Sequence, residues 1–204
     1  MTRDTETRIV QFTDADEAIR EIHRPGQRIV TFAGFSANGY EDSNWLGRLL
    51  SESLDGLQPA SDIVCAGATA DGIGAVYALA SARGFMTIGI VSSIALKEGI
   101  PFATDVDVVF VIENDSWGGR VNQGETLSPI SRVMVEVSDA LVFIGGGDIA
   151  RDECEYARAR HKPIRFEAAD MNHDAAIEQA QRAGRSPPTD FRGAVHAYMC
   201  GSGG

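Results

Sequence analysis

Three short apolar runs that each stop at a glycine constrain this chain more than anything else in it. Arg28 to Ala33 (RIVTFA) runs into Gly34, Asp62 to Ala66 (DIVCA) into Gly67, and Ala140 to Ile144 (ALVFI) into Gly145, Gly146 and Gly147. Continuous apolar runs of this length suit strands buried on both faces, as in a parallel sheet. A helical pattern follows each turn: about Asp42 to Leu54, then AVYALASARG ending at Gly84, then a helix with Ile149, Ala150, Cys154 and Ala157 on its apolar face. Further strands are expected at Thr87 to Val91, Val106 to Ile112 and Ile164 to Glu167, and helices at Pro129 to Ser138 and Asp174 to Ala183. Such alternation predicts an α/β fold: a doubly wound, mostly parallel sheet, Rossmann-like, in three layers α/β/α.

At 204 residues the chain suits one domain, 1–204, with a short N-terminal helix at about 14–22, broken by Pro25 and Gly26, and a proline-containing tail at about 187–204. Ser92 to Asp105 reads as a loop or short helix. Glu113 to Glu125, with Asp115, Trp117, Arg120 and Asn122, reads as a long polar loop of a kind that often carries function. Neither a long apolar run nor a signal-peptide pattern occurs, and the charged start MTRDTETR leads us to expect a cytoplasmic protein with no membrane partner. The net charge of -11 argues against nucleic acid as a partner, while leaving room for a local anion site. Cys65, Cys154 and Cys200 are too scattered for a metal site or disulfide framework, and His23, His161, His173 and His196 show no ligand spacing. We therefore expect no metal and no cofactor.

A strand, a glycine turn and a helix N-terminus together aim backbone N–H groups and the helix dipole at an anion, commonly a phosphate. Glycine lets the ligand approach closely, although it also serves merely to pack a helix tightly on a sheet. The candidate ligand contacts are Gly34, Ser36 and Asn38 on the first turn, Gly67, Thr69, Asp71 and Gly72 on the second, and Gly145, Gly146 and Gly147 on the third. All lie at carboxyl ends of strands, where open sheets of this class bind ligands; turns also favour these residue types for their own sake. Asp148 reads as a helix cap more readily than as an acid. Trp117 can stack on a base and Arg120 can pair with a phosphate, and loop packing or a subunit contact accounts for both equally well.

Two longer segments carry a family resemblance. Gly72 to Val91, GIGAVYALASARGFMTIGIV, resembles the "GxMGAxxxxAxxxGGxVxGV" segment of the Lonely Guy (lysine-decarboxylase-like) phosphoribohydrolases and the wider SLOG group. Arg132 to Glu153, RVMVEVSDALVFIGGGDIARDE, resembles their "MxxxSDAxxxxPGGxGTxxE", and VTFAGFSANG fits the usual opening of that fold. The resemblance implies a Rossmann-like fold, a nucleoside 5'-monophosphate as ligand, hydrolysis of its N-glycosidic bond, and a homo-oligomer. Gly146 and Gly147 fall on the motif glycines and Glu153 on the catalytic Glu. The motif proline is Gly145 here, the third glycine is Ile149 and the threonine is Ala150; the family's Arg falls at Ile130, two residues before Arg132. The segment from Asp139 to Ile164 is similar also to nucleoside 2'-deoxyribosyltransferases, in which the helix Glu is a nucleophile.

Breaking an N-glycosidic bond builds positive charge on the ribose, which a carboxylate can stabilise or attack. Glu153 is the expected acid, with Arg132 or Arg120 neutralising charge. The plain alternative for Glu153 is a solvated or salt-bridged helix residue. Two functions stay open: an enzyme cleaving an N-glycosidic bond, and a non-catalytic nucleotide sensor or carrier, for which the missing Arg, Gly and Thr speak.

Overall fold

The computed structural model describes residues 7–23, 26–121 and 126–201. The chain opens with β1 (Arg8–Phe12) and α1 (Ala15–Ile22), then β2 (Arg28–Gly34), α2 (Ser43–Asp55) and β3 (Asp62–Ala66). A 3-10 turn at Gly72–Ala75 leads into α3 (Val76–Ala82), β4 (Met86–Ser92), α4 (Ile94–Lys97) and β5 (Val108–Ile112). A two-residue pair, β6 (Arg120–Val121) and β7 (Thr126–Leu127), precedes α5 (Pro129–Val137), β8 (Ala140–Ile144) and α6 (Asp148–Ala159). The last elements are β9 (Ile164–Glu167), α7 (His173–Arg182) and α8 (Gly193–Gly201).

Seven strands form one parallel sheet in the order β1-β5-β4-β3-β2-β8-β9. From β2 the chain winds outward through β3, β4 and β5, then returns to the other side of β2 as β8 and β9. The winding direction therefore reverses between β2 and β8, and open sheets bind ligands beyond the carboxyl ends of such a pair. Alternate side chains of β2 sort the layers. Val30 and Phe32 join Leu46, Leu50, Val76 and Tyr77 under α2 and α3, whereas Ile29 meets Ile130, Val133 and Met134 of α5 on the opposite face. Ala33, Leu141 and Phe143 pack beneath Ala150, Cys154 and Ala157 of α6 and Val195 of α8.

The Ser-Asp pair before β8 is a structural latch. Ser138 Oγ lies 2.5 Å from Thr31 Oγ and donates to the Met134 carbonyl at 2.6 Å, and the Asp139 carboxylate accepts the Ile29 N–H at 2.8 Å. Lys162 donates to the Glu136 and Ser138 carbonyls at the end of α5 and so serves the scaffold. Arg28 grips Asp62 through Nε and Nη2, joining β2 to β3. Burial pushes the Asp62 carboxyl up, but the Arg28 guanidinium and the Gln58 N–H outweigh it and hold the group below its ordinary range.

Several expectations are corrected. An N-terminal strand, β1, pairs with β5 at the sheet edge. The fourth expected strand begins at Val108, with Val106 buried ahead of it. The expected polar loop carries the β6–β7 pair; its Asn122, with the rest of 122–125, lies outside the described residues, as does Pro25. The proline-containing tail folds into α8. Asp148 is not the cap of α6: Gly147 holds that position without a side-chain bond, and Asp148 is the first helical residue, paired with Arg151 at 2.9 Å. No described helix is long and apolar enough to cross a membrane.

Candidate functional site

Beyond the carboxyl ends of β2 and β8, three of the expected glycines, Gly34, Gly72 and Gly145, crowd around Phe35. Gly34 lies so close to Tyr40 and β8 that a Cβ there would sit 2.1 Å from the Tyr40 hydroxyl and 2.4 Å from the Ile144 carbonyl oxygen. Tyr40 Oη donates to that carbonyl at 2.8 Å and accepts the Phe35 N–H at 3.1 Å, closing the strand ends together. Gly72, at φ +57, abuts the Phe35 and Ser36 carbonyls, and the Ile73 N–H donates to the Phe35 carbonyl at 2.8 Å. Gly145 has φ +55, which no proline adopts, so the proline of the Pro-Gly-Gly motif it resembles could not stand here. Its vacant Cβ position is occupied by the Phe35 ring, and that of Gly146 by Ala150 and Val195. Gly147 alone of the three faces open space.

Glu153 is buried on the second turn of α6. Ser131 Oγ donates to its Oε1 at 2.7 Å and accepts the Gly119 N–H at 2.8 Å. Gly118 packs against Ser131 Oγ and Ile149, and Gly119 against Asp152 and Ile149. Burial pushes the Glu153 carboxyl up to about 7; the Ser131 hydrogen bond opposes the rise and the neighbouring Asp152 charge adds to it. Asp152, also buried, accepts the Arg120 N–H at 2.8 Å and the Arg151 guanidinium at 2.8 Å, while Arg120 Nη2 reaches Glu155 at 2.9 Å. The Asn114–Arg120 segment is thus pinned to α5 and α6 through its backbone, and Trp117 stays 43% exposed on it. Ser131→Ala removes both hydrogen bonds of that hydroxyl. It is expected to cost about 1–3 kcal/mol in urea unfolding and to move the Glu153 titration still higher, read by carboxyl-resolved NMR.

The remaining expected residues are dispersed. Arg132 pairs with Asp16 on α1 instead of facing Glu153, and Ile130, where the phosphoribohydrolase motif would place its Arg, is buried in the core under α5. Ser36 is exposed; Asn38 donates to Gln179 Oε1 at 3.0 Å and to the Met171 sulfur. Gly67 is exposed with open space beside it, the Thr69 carbonyl packs against Gly74, and Asp71 makes no side-chain cap bond. Arg120 and Asp148 are engaged with acidic and basic neighbours on α6. Sequence reasoning missed Phe35, Tyr40, Ser131, Asp152 and Val195. Phe35 and Tyr40, two aromatics in a turn of small and polar residues, carried a signal. Two open grooves lie elsewhere: one beside α2, lined by Arg48, Glu52 and Leu79, the other at the amino ends of the strands beside Arg28 and Asp139.

Sheet order and the glycine turns at the strand ends together define a Rossmann-like, doubly wound α/β fold. Among solved structures, the chain is similar to the Moco carrier protein of Chlamydomonas reinhardtii, also called the molybdenum cofactor carrier protein, at 18% identity over 85% of this chain and 96% of that one, TM-score 0.52. It is also similar to the protein TM1055, at 19% identity over 68% of this chain and 72% of that one, TM-score 0.47. The DNA processing protein A of Streptococcus pneumoniae aligns at 14% identity over 86% of this chain and 61% of that one, TM-score 0.48. No family model and no curated protein sequence matches the chain.

Proposed function

We propose that this protein binds a phosphate-bearing small molecule of the nucleotide class beyond the carboxyl ends of β2, β3 and β8, and carries or senses it without cleaving it. The observation that carries this reading is the state of Glu153: buried, hydrogen-bonded to Ser131, and with Arg132 paired to Asp16 instead. The ligand contacts assigned are Gly34, Ser36, Asn38, Gly67, Thr69, Gly72 and the run Gly145, Gly146, Gly147, with the open backbone of Gly147 and the first turn of α6 nearest the phosphate. Asp148 and Arg120 flank that turn. One structurally similar protein, the molybdenum cofactor carrier protein, accords with the carrier half of the proposal. We assign the protein to the cytoplasm, as one domain acting in a homo-oligomer.

A second reading keeps N-glycosidic cleavage, with Glu153 as the acid and Arg120 or Arg132 neutralising charge. Its support is the Glu153 carboxyl at about 7, a range suited to proton transfer near neutral pH. Titration calorimetry with a panel of nucleoside 5'-monophosphates, and chromatography of the same mixtures for free base, separate the two. Binding with no base released is the expected result. Release by the wild type that disappears in Glu153→Gln contradicts carriage without cleavage.

A further inference from the structure

The glycine corner beyond the carboxyl ends of β2 and β8 is filled by the chain's own C-terminal segment. Gly193, at φ +79, lies against the Gly146 carbonyl and the Phe35 ring so closely that a Cβ would stand 2.4 Å from that oxygen. Two residues on, the Val195 N–H donates to the same carbonyl at 3.2 Å, and its fully buried side chain presses on Gly146. Just upstream, the Phe191 carbonyl accepts the Met171 N–H at 2.8 Å, and the His173 ring stacks on the Phe191 ring at 3.9 Å.

The attachment is partial: Tyr198 and Met199 of α8 are partly buried against the cluster under α6, and the Arg158 guanidinium lies over the Tyr198 ring. Of α8, only Val195 is buried, and Ser186 to Asp190, which lead to it through Pro187 and Pro188, are exposed apart from half-buried Pro188. Segments with few buried apolar side chains open at far lower free energy than the core. We propose that Phe191–Gly201 is a lid seated in the ligand's place, with Val195 in the glycine corner, and that it lifts as a unit to admit the anionic ligand. The identity of that ligand rests on the function proposed above; the lifting of α8 does not.

A native reporter lies beneath the lid. The Cys154 thiol is buried 3.7 Å from the Met199 sulfur of α8, whereas Cys65 is buried in the sheet. In the full chain carrying Cys200→Ser, labelling by an aromatic disulfide reagent should modify Cys154 at least tenfold faster than Cys65. Val195→Asn should add a further tenfold at Cys154 and leave Cys65 unchanged; Val195→Ala, milder on folding, should act in the same direction. Adenosine 5'-monophosphate should speed Cys154 labelling in the wild type and bind Val195→Asn at least tenfold more tightly. Equal labelling of the two cysteines in every variant overturns the lid, as does equal nucleotide affinity in wild type and Val195→Asn with Cys154 still protected. If the nucleotide binds neither protein while Cys154 behaves as expected, the lid stands and the nucleotide proposal fails.

Discussion

Replacing Glu153 by glutamine stabilises the protein above neutral pH and leaves its stability nearly unchanged below about pH 4.5. The folded carboxyl is raised from 4.5 to about 7, mainly by burial. Such a group favours the fold fully while it is protonated in both states, below its unfolded value. That contribution is lost as pH climbs from about 4.5 through about 7, because the unfolded chain ionises first and the folded chain must bury the charge. At roughly 1.4 kcal/mol per unit, the loss is about 3 kcal/mol by pH 8. Glutamine keeps an acceptor for Ser131 and cannot ionise, so Glu153→Gln escapes the loss. Urea unfolding at pH 4.5 and pH 8.5 reads the difference: parity at the first, and a gain of about 3 kcal/mol at the second. The same change at both pH values contradicts the burial of an ionisable carboxyl.

Gly34→Ala is expected to be the more damaging change. The new Cβ meets the Tyr40 hydroxyl and the Ile144 carbonyl well inside contact distance, and neither can retreat. Tyr40 is buried and bound at both sides of its hydroxyl, and Ile144 is the last paired residue of β8, opposite Gly34 and Glu167. Overpacking costs about 1–3 kcal/mol, and displacing the hydroxyl leaves the Phe35 N–H and Ile144 carbonyl without partners, at about 1–3 kcal/mol each. A total loss of about 4 kcal/mol or more follows in chemical denaturation. Tyr40→Phe isolates the hydrogen-bond share and should cost about 2 kcal/mol. Gly147→Ala provides the contrast, with φ -84 and nothing near its Cβ position, and should stay within about 1 kcal/mol. Equal tolerance at positions 34 and 147 contradicts the close approach of β2 and β8.

The strands legible in sequence are those buried on both faces, where an unbroken apolar run leaves little alternative: Asp62 to Ala66 and Ala140 to Ile144 are observed as read. β1 escaped because an edge strand needs few apolar residues; only Phe12 of its five is buried. α8 escaped because GAVHAYMCG has almost no polar face to set against its apolar one, and it lies between glycines behind two prolines. Position 153 was legible from its spacing to the Ser-Asp latch. Its burial was not, since its hydrogen-bond partner Ser131 comes from α5, more than twenty residues upstream. Nor does any local pattern give Arg132 its partner, Asp16, across the helical layer.

The most direct test of a nucleotide held without cleavage is an amide-resolved NMR titration of the full chain with nucleoside 5'-monophosphates, the same tubes being assayed afterwards for free base. We expect saturable shifts at the Gly34, Ser36, Gly72 and Gly147 amides and no base. Silence at all four amides, or base accumulating in wild type and not in Glu153→Gln, contradicts the account.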